Sequence, residues 1–303
     1  MQTFLPFPDF ERSAAVLDSP RLGKQRVETL QVLRALNLPD YGWGNHPAVA
    51  MWRGRTPALV AYGLACVRQW TGRGHSDSTQ PLITEFAPEV VDLSQDELGR
   101  RGLLPSWLGD EAVHASHRAA LVRKDPAFYR PRLGDDVSPD VDYQWPGADD
   151  LPVAQPPAGC ALWVVRPATA EVLGRFLLDG VVGLGTASGL IVDVRGIGRA
   201  DLRAALRRVE PRRRPGKALR QLESFVHDIE PGDDVAVPVE ADQALLTGRV
   251  TGGYAFDSGS GPPVHRRPVA WGGRLRRADL LPPAALQDPR ELFRVTVSTA
   301  AMS

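Results

Sequence analysis

The chain has 303 residues, with Lys+Arg and Asp+Glu balanced at 36 each and a hydrophobic share of 43%. That length accommodates two domains of ordinary size, and that composition supports packed cores and excludes wholesale disorder. No apolar run approaches the roughly 20 residues of a membrane span, and two cysteines, Cys66 and Cys160, are too few and too far apart for a disulfide framework or a cysteine zinc site.

The start, Met1-Gln2-Thr3-Phe4-Leu5-Pro6, lacks the basic and apolar regions of a signal peptide, so a cytoplasmic location is expected. The neutral balance is weaker than the basic surplus common in nucleic-acid binders, but it is uneven. Residues 1–134 hold 16 Lys+Arg against 14 Asp+Glu, residues 151–303 hold 20 against 16, and the stretch between carries six acids and no bases. Each candidate domain is therefore mildly basic.

Helical patterns fill residues 1–134. Asp18 or Ser19 caps a helix with Pro20 in its first turn that runs through Leu36. Leu22, Leu30, Leu33 and Leu36 share one side of it, and Arg21, Lys24, Gln25, Glu28 and Gln31 share the other, so a two-faced helix is expected. Arg26 projects on the apolar side and requires a partner or a ligand. Glu28, a carboxylate among Arg21, Lys24 and Gln25, suits general acid/base work beside phosphate-binding groups. In Gly42-Trp43-Gly44-Asn45-His46-Pro47, Asn45 is placed as a helix cap and His46 as a ligand to phosphate or base, while Trp43 and Trp52 are assigned to the core. Thr56-Pro57 starts a second long helix reaching Trp70, and Asp110 a third that ends at Asp125-Pro126. His114 and His117 lie three apart, but without an HExxH pattern or a cysteine partner no metal and no cofactor are predicted.

Residues 135–157, rich in Asp, Pro and Gly, are expected to form an acidic interdomain linker. Beyond it, β-type runs at 161–165, 181–184, 190–194, 234–239, 246–250 and 292–297 alternate with turns and are read as a small barrel, interrupted by helices at 199–209 and 217–229. Arg207-Arg208 and Arg212-Arg213-Arg214 are candidate phosphate contacts.

Arg21-Leu22-Gly23-Lys24-Gln25-Arg26-Val27-Glu28 followed by Gly42-Trp43-Gly44-Asn45-His46-Pro47 resembles the pyrimidine-dimer DNA glycosylases of phage endonuclease V type. Tyr62 through Arg68, Trp70, Arg73-Gly74, His114-Ala115-Ser116-His117 and Asp125 through Tyr129 extend the resemblance over roughly 1–134. It implies an all-helical domain that extrudes a nucleotide and attacks the sugar C1′ with its N-terminal α-amine, assisted by one Glu on the first long helix. Here that Glu is Glu28, and Arg21, Lys24, Gln25, Arg26, Asn45, His46, Arg53 and Arg73 are the candidate DNA contacts. An α-amine, with an ordinary pKa near 8, is partly neutral at pH 7 and suits Schiff-base chemistry. The chain departs from the pattern at its start. Bulky Gln2 hinders removal of Met1, leaving the Met1 amine as nucleophile, with a hydrolytic mechanism or Lys24 as alternatives. Arg21 also stands where the phage enzyme has His, so lesion preference does not carry over.

In the second half, Leu162-Trp163-Val164-Val165-Arg166-Pro167, Asp179 through Gly185, Phe225 through Pro238 and His265 through Trp271 resemble a PUA-like or EVE-like barrel. Such barrels grip an extruded, modified base, and Trp163, Arg166, Tyr254 and Trp271 are the candidate pocket residues. The expected architecture is thus an all-α glycosylase domain at 1–134 and an α+β PUA/EVE-like β-barrel at 158–303. The expected partner is double-stranded DNA with damaged or modified bases, by analogy modified phage DNA. Repair of ultraviolet pyrimidine dimers and non-catalytic binding of modified nucleic acid are the alternatives.

Overall fold

Asp18 accepts a 2.7 Å hydrogen bond from the Arg21 N–H and so opens the long helix α2 (Ser19–Asn37), after the short α1 (Phe10–Ala15). Such caps satisfy amide donors that a helix start leaves without partners. In this computed structural model, residues 1–148, 159–185, 189–209, 211, 215–239 and 244–301 are described. The chain divides into two units, Met1–Pro156 and Pro157–Ser303.

In the first unit α3 (Pro47–Ala50), α4 (Thr56–Gly72), α5 (Gln80–Thr84), α6 (Gln95–Arg100), α7 (Glu111–Lys124) and α8 (Pro126–Leu133) follow. Asp110 and Asp125 cap α7 and α8 through Ala112 N and Phe128 N. Helix α4 is buried along most of its length, from Ala58 through Val67. It crosses α2 closely because Gly63 has no side chain: a Cβ there would lie 2.7 Å from the Thr29 methyl. Arg26 finds the partner its position demands in Asp77, whose side chain is 3% exposed, and its guanidinium lies 4.5 Å over the Trp70 ring.

The two-faced reading of α2 needs correction. Leu22, Leu30 and Leu33 are buried as expected, but so is Gln25, because the N-terminal segment covers part of the polar side. The acidic stretch after α8 is also more than an exposed tether. The Arg123 guanidinium holds Val141 O at 2.6 Å, Gln144 N donates to Ser116 Oγ at 3.0 Å, and the Tyr143 hydroxyl donates to Thr3 O at 2.5 Å. Cys66 is buried, and burial pushes its thiol up to about 12.

The second unit is built on a mixed sheet of β1 (Gly159–Val165), β2 (Val181–Gly183), β3 (Asp234–Val239), β4 (Ala244–Val250), β5 (Ala255–Phe256), β6 (His265–Arg276) and β7 (Leu292–Ser298). Strand order is β2-β6-β4-β3-β1-β7, with β5 also on β6. Strand β1 runs parallel to β3 and antiparallel to β7. Alternation along β1 sends Trp163 and Val165 into one core and Leu162 and Val164 into another.

The expected closed barrel is not what forms: among the described residues the terminal strands β2 and β7 do not pair. The face bearing Trp163 is covered instead by helices α9 (Ala170–Leu178), α10 (Arg199–Val209) and α11 (Pro215–His227), through Phe176, Leu202, Leu206, Leu219, Leu222 and Phe225. The run 190–194 is not a strand; Leu190 and Val194 anchor a loop to this core while Ile191 is 69% exposed. Cys160 is exposed. Arg212-Arg213-Arg214 lies outside the described residues. No helix among the described residues is long and apolar enough to cross a membrane.

Candidate functional site

Chain termini ordinarily fray unless something ties them down. Here each residue from Gln2 to Leu5 is held. Gln2 N donates to Glu28 Oε2 at 3.1 Å and Gln2 O accepts from Gln25 Nε2 at 3.0 Å. The Trp52 indole N–H donates to Thr3 Oγ1 at 3.1 Å, and Tyr143 holds Thr3 O. Phe4 N donates to Gln25 Oε1 at 2.8 Å, while the Tyr62 hydroxyl reaches both Phe4 O and Gln25 Oε1, at 2.9 and 2.7 Å. Leu5 is clamped by two imidazoles: its N–H donates to His117 Nδ1 at 3.0 Å and its carbonyl lies 2.8 Å from His114 Nδ1. His114 Nε2 accepts from Gly109 N, so its proton sits on Nδ1 and is donated to Leu5. The two histidines thus position backbone, and the described residues contain no group of three or more candidate ligands for a metal.

Burial controls the ionisation of this frame. It is the main reason that Tyr62 and Tyr143 stay well above the usual phenol range, and Glu28 adds to the effect on Tyr143. It also holds His117 down to about 3, keeping the ring neutral as the Leu5 bond requires.

The anchored segment sets Met1 next to the residue whose N–H is bonded to Glu28. His46, not Asn45, caps α3, its Nδ1 accepting from Ala48 N at 3.1 Å. Asn45 is exposed. The His46 pKa lies below its ordinary value, chiefly through burial and further through the Met1 ammonium, with Glu28 opposing. The bond from Gln2 N to Glu28 Oε2 is what brings the start of the chain to that carboxylate.

Trp43, assigned to the core from sequence, is instead 63% exposed, and Trp52 is buried. Trp43 has φ of 63° next to Gly42 at 92°, a conformation that costs a bulky side chain on the order of 1–3 kcal/mol and clusters at functional sites. Its ring packs edge-on to His46 at 5.6 Å, His46 meets Trp145 at 5.7 Å, Trp145 meets Tyr143 at 4.4 Å, and Tyr143 stacks on His117 at 4.3 Å. Sequence reasoning missed Tyr143 and Trp145. Two aromatics inside an Asp- and Pro-rich stretch were the available signal.

The remaining candidates scatter. Lys24 is exposed one turn before Glu28 on α2. Gln25 is buried and binds the N-terminal strand rather than facing outward. Arg21 pairs with Asp18 and reaches Lys124 O, and Arg26 pairs with Asp77. Arg73 closes the turn after α1 through Leu17 O and Ala15 O at 2.7 and 2.9 Å. Arg53 is exposed, with Gly44 O at 3.3 Å.

In the second unit the four proposed pocket residues do not line one opening. Trp163 and Tyr254 are 6% and 9% exposed within the core, bound to Asp233 and His265. Trp271 packs against the same core and donates to Phe176 O at 2.8 Å. Arg166 binds Leu286 O and Asp288 O and borders a cavity of about 440 Å³ with Thr169, Leu173 and Pro238. A further cavity of about 530 Å³ between α10 and α11 is lined by Arg199, Arg220, Glu223, His227 and Asp228, none of them a sequence candidate.

Residues 1–81 match the family described as pyrimidine dimer DNA glycosylase. Residues 191–297 match a family described only as a domain of unknown function. No curated protein and no solved structure matches the chain. The first match carries Met1, Gln25, Glu28, Trp43 and His46, and it supports DNA glycosylase chemistry and a DNA substrate at the family level. The second assigns no activity and gives no support to a PUA-like or EVE-like reader.

Proposed function

We propose that the helical unit is a DNA glycosylase that excises a damaged or modified pyrimidine, with the Met1 α-amine as nucleophile and Glu28 as the acid/base group. The observation that carries this reading is the anchored N-terminal segment. Four consecutive residues are bonded to α2, α4, α7 and the tail at Tyr143, so that the amine is presented beside Glu28. Positioning of this kind converts a weak nucleophile into an effective one.

In this mechanism the neutral amine attacks C1′ of an extruded nucleotide. The C1′–N bond breaks, and the base leaves with the bonding pair and takes up a proton. The amine sheds a proton to Glu28 or water. Cleavage of C1′–O4′, with protonation of O4′, then leaves an iminium between the Met1 nitrogen and C1′. The Glu28 carboxylate, having passed any proton taken from the amine to water, then accepts a proton from C2′, which expels the 3′ phosphate and nicks the strand. Water hydrolyses the iminium and returns the amine, so no oxidant is consumed.

The test incubates the protein with unmodified, ultraviolet-irradiated and hydroxymethylcytosine duplexes under borohydride. A reduced adduct that maps to Met1 and disappears in Glu28→Gln and in a chain extended before Met1 is the expected result. An adduct mapping to Lys24 would move the nucleophile, abasic sites without an adduct would replace the amine with water, and neither on any duplex would overturn the reading.

A further inference from the structure

The chain of rings beside Met1 has a shape that the N-terminal clamp does not require. Tyr143 earns its place structurally, through Thr3 O and its stack on His117. Trp145 and Trp43 lie further out. Trp43 is 63% exposed in a left-handed backbone conformation, Trp145 is half-buried, and both pack edge-to-face on His46, the imidazole that feels the terminal amine and Glu28. Stacking on aromatics is how proteins hold a base that has left the duplex.

Resting on the glycosylase reading above, we infer that Trp43 and Trp145 form the platform on which the extruded target base stacks, and that the tail after α8 completes the site. The occupant must be flat, apolar on its faces and joined to the sugar carbon that the amine attacks, which a pyrimidine satisfies. Trp145 is held rigidly enough to serve. Its neighbour Tyr143 is fixed by a 2.5 Å hydrogen bond and a 14° stack, Gln144 N is bonded to Ser116 Oγ, and Val141 O is bonded to Arg123. The tail lies outside residues 1–81, the region that matches the glycosylase family. Since Trp stacks on either pyrimidine or an altered pyrimidine without reading its edge, the platform selects a flat extruded base and leaves finer choice to hydrogen-bonding groups such as His46 Nε2.

The experiment separates base binding from amine chemistry. Full-length wild type, Trp43→Ala, Trp145→Ala and Trp145→Phe are compared in two assays. One measures base release from whichever duplex of the irradiated and hydroxymethylcytosine set the wild type acts on. The other measures borohydride trapping on a duplex carrying a preformed abasic site, where no base remains to be stacked. Loss of one stacking face is expected to slow base release by about 10- to 100-fold, with trapping on the abasic duplex within about threefold of wild type and substantial rescue by Trp145→Phe. Unchanged release in both alanine variants would overturn the platform while leaving the glycosylase reading intact. Parallel loss of release and abasic trapping without rescue by Phe would also overturn it, assigning the rings a structural role. A wild type that neither releases base nor traps would remove the underlying reading and this one with it.

Discussion

Replacing Gln25 with Leu distinguishes the clamp from a DNA contact. The Gln25 side chain accepts from Phe4 N at 2.8 Å and Tyr62 at 2.7 Å and donates to Gln2 O at 3.0 Å, within a residue that is 1% exposed. Leu fills nearly the same volume but returns none of these bonds. Tyr62 keeps Phe4 O, whereas Phe4 N–H loses its acceptor in a buried setting and Gln2 O loses its donor in a half-buried one. At ~1–3 kcal/mol for a buried group left without a partner and less for the half-buried one, the total is about 2–4 kcal/mol. Two measurements on the full chain read it. Urea unfolding of the helical unit should shift to lower concentration, and amide exchange across Gln2–Leu5 should accelerate at least tenfold, together with reduced adduct trapping. An unfolding midpoint and exchange pattern equal to wild type, combined with weakened DNA binding, would refute the clamp and restore Gln25 as a DNA contact.

Three further outcomes follow from the same geometry. His117 is held down to about 3 in the folded chain, while the unfolded chain takes up its proton near the ordinary imidazole value of ~6.5; stability is therefore intact above that value and declines as pH falls toward 3, at up to ~1.4 kcal/mol per pH unit. His117→Gln should flatten that part of the pH curve in denaturation measurements, and an unchanged slope would assign the acid sensitivity elsewhere. Gly63→Ala should destabilise the α2–α4 crossing by ~1–3 kcal/mol in urea melts, since its Cβ meets the Thr29 methyl at 2.7 Å, with partial recovery when Thr29→Ser is added. Arg26→Met should cost ~3–5 kcal/mol by leaving the buried Asp77 carboxylate without its cation, and the added Asp77→Asn should recover much of this in a double-mutant cycle.

Local signals in the sequence were dependable where the physics was local. The caps at Asp18 and Asp110 and the helix 199–209 depend on neighbours within a turn, and they form where expected. The demand that Arg26 be paired was legible from its place on an apolar face; the identity of Asp77, 51 residues away, was not. Gln25 was misread because a polar side chain opposite a leucine stripe looks solvated until another segment is laid over it. The barrel failed for a related reason. Helix α9, unmarked in the sequence reading, brings Phe176 over the sheet, and a face covered by helices has no need to close on itself. Composition alone marked the acidic tail as a spacer, and only Tyr143 and Trp145 within it hinted at attachment. Of the proposed site, Glu28 and Met1 were nameable through the family resemblance, while the groups that hold the N-terminal segment come from α2, α4, α7, the turn after α3 and the tail at Tyr143, which no periodicity connects.

The N-terminal clamp also sets when the first residues of the chain can become fixed. Its bonds join Gln2 to Glu28, 26 residues on, Leu5 to His117, 112 residues on, and Thr3 to Tyr143, 140 residues on. During synthesis the first residues emerge from the ribosome long before the partners that fasten them, and contacts so distant in sequence form late. The oldest part of the nascent chain therefore waits for the youngest part of its own unit. Until Tyr143 arrives Thr3 O lacks the donor that holds it, and the clamp is complete only once the whole helical unit has assembled.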